Sequence, residues 1–140
     1  KLQCMKKRRN MEIFKPINEK KGNAKVKKIF NEIKKTRKIS KIPNFWKSIA
    51  HNPLLLERTW NNLKQIMKDG ALDSVTKELI YVAVSITNSC DYCIRSHTFA
   101  AKKKGASNEM IKEMIDVVGI ANQNNKLVDA YQVEMDKIYK

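Results

Sequence analysis

Residues 74–105 read SVTKELIYVAVSITNSCDYCIRSHTFAAKKKG, and this stretch decides which fold the chain can adopt. Its first half repeats apolar residues at the spacing of three and four that is typical of an α-helix. These residues are Val75, Leu79, Val82, Ala83 and Ile86. Asp73 or Ser74 can cap this helix, because short polar side chains accept hydrogen bonds from its first backbone N–H groups. Ile80 and Val84 make the opposite face apolar too, so we expect this helix to be the central and most buried one.

The second half of the stretch predicts a second helix that begins at a cysteine. Asn88 and Ser89 interrupt the apolar pattern just before Cys90, and helical spacing then resumes over about 91–104. Gly105 fits the end of this helix, because glycine readily adopts the left-handed conformation that closes many helices. We therefore expect two consecutive helices with a short connection at residues 88–89.

Helical spacing also recurs on both sides of this pair. The further predicted helices span about 18–40, 45–50, 53–69, 107–118 and 127–138. Pro53 fits the first turn of the third of these, with Asn52 as its cap, because a backbone N–H is not needed there. Trp46, Trp60 and Phe45 are expected to pack in the core or between subunits. No segment alternates with period two, so the sequence predicts an all-α fold.

The length and composition fit one domain built from long helices. The chain has 140 residues, enough to bury a core, and only four Gly and three Pro to break helices. Residues 1–17 lack a sustained apolar period and contain Pro16, which predicts a loosely packed segment. We therefore take residues 1–24 as a basic N-terminal lead-in and residues 25–140 as the folded domain.

The net charge of +15 is concentrated near the N-terminus. Residues 1–47 contain 17 basic and 3 acidic side chains, whereas residues 48–140 contain 12 and 11. Nucleic acid or an anionic membrane surface is a partner that such a segment can bind. A solvated face is the alternative, because the lysine runs lack the aromatic and glycine signals of common single-strand binding modules.

The sequence gives no sign of a membrane span or of export. Its longest apolar run, residues 79–84, is far shorter than the roughly 20 residues of a membrane helix. Residues 1–10 lack the apolar region of a signal peptide, so we expect a cytoplasmic protein. In a reducing compartment a Cys-x-x-Cys pair is more often redox-active or metal-binding than structural, and Cys4 is expected to be incidental.

The residues that carry chemistry are Glu78, Cys90, Cys93 and His97. If a helix begins at Cys90, both thiols lie near its N-terminus, where unpaired N–H groups and the helix dipole lower a thiol pKa. His97 follows Cys93 by four residues, one turn along the same face, and its imidazole can reach the sulfur directly or through one water. A thiol with an adjacent base is an activated nucleophile.

Glu78 precedes Cys90 by twelve residues. In one straight helix the two residues would be ~18 Å apart and rotated by about 120°, which excludes contact. Either the chain breaks and folds back around residues 87–89, or another element or subunit brings a carboxylate to the thiols.

These four positions match the E-x11-C-x2-C-x3-H pattern of AhpD-like alkylhydroperoxidases, within the carboxymuconolactone decarboxylase superfamily. The upstream context is also similar, with Pro-Asn at residues 43–44 and Asn-Pro-Leu-Leu at residues 52–55, and Gly-Ala follows the motif at residues 105–106. The resemblance covers about residues 25–140.

The resemblance implies an AhpD-like helical bundle that assembles as a homo-trimer or homo-hexamer and reduces organic hydroperoxides as an antioxidant peroxidase. Cys93 would attack the peroxide, Cys90 would resolve the resulting sulfenic acid as a disulfide, and an external dithiol would reset the pair. Glu78 and His97 would relay protons, with no bound cofactor or metal. Tyr92 stands where the best-studied branch has His, and since Tyr is a poor base near neutral pH, a weaker relay or a different substrate is expected. Tyr92 can line the substrate pocket, and a packing role is the alternative.

Other interpretations of the same residues remain open. The cysteines can be two small buried side chains, or the four residues can hold zinc, although structural zinc usually gathers two separated ligand pairs. General disulfide oxidoreductase or lyase chemistry also occurs in the superfamily. Finally, the helical core can serve only to oligomerise a protein whose N-terminal lysines bind nucleic acid or an anionic surface.

Overall fold

The computed structural model describes residues 13–139, which contain six α-helices and no strand. The helices are α1 (Ala24–Arg37), α2 (Asn44–Ile49), α3 (Pro53–Ile66), α4 (Ser74–Thr87), α5 (Asp91–Lys103) and α6 (Asn108–Ala130). A 3-10 turn follows at Lys137–Tyr139. The predicted all-α class is therefore confirmed. No helix within residues 13–139 combines the length and the apolar character that crossing a bilayer requires.

The described residues form two compact units, 13–66 and 67–139, where the length suggested one domain. In the first unit, α1 and α2 each pack against α3 around an apolar core. Trp46 and Trp60 are both buried there and meet edge to face with ring centroids 5.4 Å apart. The guanidinium of Arg37 lies over both rings. The two tryptophans are therefore core residues, as predicted, whereas Phe45 is 42% exposed.

The part of the lead-in that the structure describes is attached to the first unit. Ile17 N–H donates to the Lys47 carbonyl at 3.1 Å, and His51 Nε2 donates to the Lys15 carbonyl at 2.8 Å. The Phe14 ring lies against the His51 ring. The prediction of loose packing is therefore wrong for residues 14–17, because these bonds depend on contacts with α2 that local sequence does not reveal. Residues 1–12, including Cys4, lie outside the described part.

Three helix bounds differ from prediction. The first helix begins at Ala24 rather than near residue 18, because Asn23 caps it through a bond from Val26 N–H. The helix opened by Pro53 ends at Ile66, three residues before the predicted end near residue 69. The two predicted C-terminal helices are one continuous helix, α6, which ends at Ala130. Asn and Gln residues fill the middle of α6 and interrupt its apolar pattern without breaking its backbone.

In the second unit, α4 and α5 pack antiparallel, and α6 packs on α4. The turn between α4 and α5 is a Schellman motif, in which Ser89 N–H donates to the Ile86 carbonyl and Cys90 N–H to the Ser85 carbonyl. Ser89 adopts the left-handed conformation that this motif needs, with φ of 54°. The chain therefore folds back around residues 87–89, which is the first of the two alternatives that the sequence left open.

The prediction that α4 is the most buried helix is wrong for the chain taken alone. Val82, Ser85 and Glu78 are buried, but Ile80 is 47% and Val84 is 53% exposed. The distal half of α6 and the segment after it also expose apolar side chains. These include Ile120, Leu127, Val128, Tyr131, Val133 and Met135. Apolar patches of this kind typically mark interfaces.

The basic excess belongs to the first unit. Residues 13–66 contain 14 basic and 3 acidic side chains, and residues 67–139 contain 9 and 10. All three of those acids are paired with lysines, as Glu19 with Lys34, Glu57 with Lys25 and Glu32 with Lys64. Most of the remaining lysines of residues 13–66 are exposed to solvent.

The turns that end α4 and α5 predict two opposite changes in the free energy of unfolding. A non-glycine residue in the left-handed region costs about 1 kcal/mol, so Ser89→Gly should raise the free energy of unfolding by about that amount. Gly105 closes α5 with the same bonding and φ of 108°, and nothing lies within 4 Å of an added Cβ. Gly105→Ser should therefore lower stability by about 1 kcal/mol through the backbone alone.

Urea unfolding followed by circular dichroism measures both changes. A Ser89→Gly variant that is no more stable than wild type would show that the turn does not strain this residue.

Candidate thiol site

The two cysteines lie at the start of α5. Cys90 is the N-cap residue, its carbonyl accepts from Ile94 N–H at 2.9 Å, and its side chain makes no capping bond. Cys93 lies on the first turn of the helix. Both are free, partly exposed thiols. Both thiols are therefore accessible to solvent and are separated by only two residues, as the predicted redox role requires.

The prediction that the helix start lowers the thiol pKa is wrong for Cys93. Burial of this thiol and the neighbouring Cys90 raise its pKa to about 11. Two thiols side by side disfavour ionisation of the second, because a thiolate next to it repels a further negative charge. At neutral pH Cys93 is therefore a neutral thiol, and it needs a base before it can act as a nucleophile.

His97 is fixed by a carboxylate from the neighbouring helix. Its Nδ1 lies 2.6 Å from Oε2 of Glu78, and the two side chains are only 12% and 6% exposed. A carboxylate only accepts hydrogen bonds, so Nδ1 carries the proton and donates it. In the neutral ring with this tautomer, Nε2 is the nitrogen with a lone pair, the form in which an imidazole accepts a proton.

Glu78 is a buried carboxylate with two partners. Its Oε2 accepts from His97, and its Oε1 accepts from Lys104 Nζ at 2.8 Å. Burial by itself raises the pKa of Glu78, but the hydrogen bonds from His97 and Lys104 outweigh it and bring the pKa below its usual value. Glu78 is therefore ionised at neutral pH. Its Oε2 is held by His97 within α5, and its Oε1 is held by Lys104, the C-cap residue of the same helix.

Tyr81 covers one face of the imidazole. Its ring stacks on His97 with centroids 3.5 Å apart and an angle of 15° between the planes. Tyr81 lies one turn after Glu78 on α4, so one face of α4 presents both the carboxylate and the stacking ring. The edge bond from Glu78 and the face contact from Tyr81 together fix the plane of the His97 ring.

The structure brings together some of the predicted residues and adds two that the sequence analysis missed. Glu78 and His97 are in direct contact, and Cys90 and Cys93 precede His97 on the same helix. Tyr92 is 46% exposed between the cysteines, and its place in a substrate pocket stays a prediction. The missed residues are Lys104 and Tyr81.

The spacing of Tyr81 and Lys104 from the predicted site residues is the sequence feature that indicates their place in the site. Tyr81 follows Glu78 by three residues, and Lys104 follows His97 by seven, so each shares a helical face with a predicted site residue. The pairing of these two faces depends on the antiparallel turn, which the sequence left undecided.

The geometry does not favour the zinc interpretation. Within residues 13–139, no three side chains of His, Cys, Asp or Glu are arranged to hold a metal ion. Nδ1 of His97 is committed to Glu78, and Glu78 is shared with Lys104. The arrangement allows His97 to accept a proton at Nε2, because the ionised carboxylate of Glu78 stabilises the imidazolium that forms.

Comparison with known families places this site in context. The sequence model of the carboxymuconolactone decarboxylase family matches residues 53–133, which include all four motif positions. The fold is similar to the crystal structure of an alkylhydroperoxidase AhpD core from Rhodospirillum rubrum, with a TM-score of 0.79 and 43% sequence identity. That likeness covers 82% of this chain and 85% of the other.

Two uncharacterised curated proteins are also similar. One, from the cox locus of Paracoccus denitrificans, is 48% identical over 52 residues, which are 37% of this chain and 47% of that protein. The other, from Cupriavidus necator, is 34% identical over 55 residues, 39% of this chain and 49% of that protein. The matched part thus spans about half the length of these curated relatives.

The lowered pKa of Glu78 predicts how its contribution to stability depends on pH. The folded-state pKa lies below the usual 4.5, so the stabilisation is present above that pH and is lost as the pH falls through the folded-state value. Glu78→Gln should lower the free energy of unfolding by about 1–3 kcal/mol at neutral pH, and the difference from wild type should shrink on acidification.

Urea unfolding of both proteins over a pH series measures this difference. A difference that stays constant through the acid range would show that the ionised carboxylate does not stabilise the fold.

Proposed function

Because the chain belongs to the carboxymuconolactone decarboxylase family, we propose that it is a thiol-dependent peroxidase that reduces organic hydroperoxides through Cys90 and Cys93. The observation that carries the proposal is the bond between Glu78 and His97, which leaves Nε2 as a base one turn after Cys93. The likeness to the alkylhydroperoxidase core of Rhodospirillum rubrum supports the same assignment.

In the first step His97 Nε2 takes the proton of the Cys93 thiol, directly or through one water. The thiolate attacks the terminal oxygen of the hydroperoxide, the O–O bond breaks, and Cys93 becomes a sulfenic acid. His97 then gives its proton to the departing alkoxide, which leaves as an alcohol. The raised pKa of Cys93 makes this base necessary at neutral pH.

In the second step Cys90 resolves the sulfenic acid. Its sulfur attacks that of Cys93, the S–O bond breaks, water leaves, and a Cys90–Cys93 disulfide remains. An external dithiol then reduces the disulfide by exchange and is itself oxidised. The cycle uses no bound organic cofactor, and a reducing compartment such as the cytoplasm would keep the dithiol form available.

The same residues also suit a general disulfide oxidoreductase, which would exchange the Cys90–Cys93 disulfide with a partner dithiol and use no peroxide. Lyase chemistry of the family would use Glu78 and His97 as acid and base and would not require the thiols. Neither alternative reaction consumes hydroperoxide. Both therefore predict that replacing Cys93 does not change the rate at which the protein consumes hydroperoxide.

We further propose that the chain assembles with copies of itself, as a trimer or hexamer. The support is the apolar surface of the second unit, where α4 and the distal half of α6 expose Val84, Ile120 and Val128. Burying such side chains from water contributes roughly 25 cal/mol per Å², which favours association of identical faces.

Single cysteine variants test the thiol mechanism. Cys93→Ser should abolish turnover of an organic hydroperoxide such as cumene hydroperoxide with dithiothreitol as reductant. Cys90→Ser should still form one sulfenic acid per chain, detectable by dimedone labelling, but no intramolecular disulfide. Cys4→Ser should turn over like wild type. Full activity of Cys93→Ser, or a Cys90→Ser variant that dimedone does not label at Cys93 after peroxide treatment, would overturn the assigned roles.

Light scattering tests the assembly. Wild type should have a mass of three or six chains, and the double variant Ile120→Glu/Val128→Glu should have a smaller one, because charges on these faces cannot be buried without partners. Lys126→Gln, an exposed change on the same stretch of α6, should assemble like wild type. A monomeric wild type would contradict the proposal.

A further inference from the structure

The contact between Lys104 and Glu78 takes no direct part in the proton transfers of the proposed peroxidase reaction. Lys104 is the C-cap residue of α5, and the Schellman turn closed by Gly105 fixes its backbone. Its Nζ reaches from a side chain that is 33% exposed to a carboxylate that is 6% exposed. A surface cation thus meets a buried anion.

The charge state of Glu78 decides which nitrogen of His97 carries the proton. An ionised carboxylate accepts the Nδ1 proton and leaves the Nε2 lone pair available. A protonated carboxyl group can instead donate to Nδ1, and the ring proton of a neutral imidazole then lies on Nε2. In that second arrangement His97 has no lone pair at Nε2 to take a proton from a thiol.

Other movements of the ring are already restricted. Stacking of Tyr81 on one face fixes the plane, and the 2.6 Å bond from Nδ1 fixes the rotation within it. The tautomer is the remaining variable, and it depends on the charge of Glu78. Among residues 13–139, Lys104 is the lysine or arginine that forms an ion pair with this carboxylate.

We propose that Lys104 is a positioning residue that fixes His97 in the Nδ1–H tautomer by placing a positive charge on Oε1 of Glu78. This inference rests on the proposed function for its catalytic meaning, because only a reaction that needs a base at Nε2 depends on the tautomer. The tautomer itself is a property of the resting protein, independent of peroxide.

The test is the tautomer of His97, read from the 15N chemical shifts of its ring nitrogens in variants of Lys104. Wild type and Lys104→Arg should show the Nδ1–H form, since both supply a cation to Oε1. Lys104→Met should show the Nε2–H form or a mixture. Lys104→Gln, which keeps a donor but no charge, should behave like Lys104→Met and replaces it if that variant does not fold.

Lys102→Met is the matched control, because Lys102 is an exposed lysine of the same helix end, whereas the ion pairs of Glu78 within residues 13–139 are with His97 and Lys104. It should keep the wild-type tautomer. An Nδ1–H tautomer in both uncharged variants of Lys104 would overturn the proposal.

Kinetics separate this inference from the proposed function. The rate of sulfenic acid formation at Cys93 should fall by about 10²-fold in Lys104→Met and should be restored in Lys104→Arg, as expected for loss of a general base. If wild type consumes no hydroperoxide, the peroxidase proposal fails while the tautomer measurement still decides the role of Lys104. A shifted tautomer with an unchanged rate would remove the catalytic part of the inference.

Discussion

The bond between Glu78 and His97 is the interaction on which the second unit of this protein depends. It joins the first turns of α4 to the middle of α5, and it places a carboxylate among the few buried side chains of this unit, which also include Val82, Ser85, Ala101, Ala106 and Val118. A buried carboxylate is costly unless it is paired, so the two helices are held in one register by the need to satisfy Glu78. The same pairing orients the only histidine that follows the thiols within residues 13–139.

Local signals predicted much of the fold. The caps at Asn23, Asp73 and Ser107 and the glycine at position 105 each act within a few residues, and helix bounds near them were predicted closely, although the start before Asn23 was placed too early. The prediction failed where tertiary contacts decide. The sequence pattern predicts a break between two helices at the polar middle of α6 and predicts burial of Ile80 and Val84 on α4, whereas α6 is continuous and both side chains are exposed. The second error has a physical basis, because Ile80 and Val84 are as apolar as core residues, and apolar spacing alone does not distinguish an exposed face from a buried one.

The candidate site shows the same division. The spacing of Cys90, Cys93 and His97 within one helix could be read from the sequence, because it depends only on helical geometry. The contact of Glu78 depends on a fold-back at Ser89, a residue that lacks the usual glycine signal for a left-handed turn. The contact between Lys104 and Glu78 depends on the same fold-back. The thiol pKa was predicted in the wrong direction, because burial and the second thiol outweigh the helix start at Cys93. The whole net charge of +15 lies in residues 1–66, so the thiol site lies in a unit of nearly balanced charge.

The central claim is that Cys90 and Cys93 form a redox pair served by His97 and Glu78. Intact mass before and after one equivalent of an organic hydroperoxide, followed by peptide mapping, tests it most directly. The account predicts rapid loss of two hydrogen atoms per chain and a Cys90–Cys93 disulfide. An unchanged mass, or oxidation confined to Cys4 or to methionines, would contradict it.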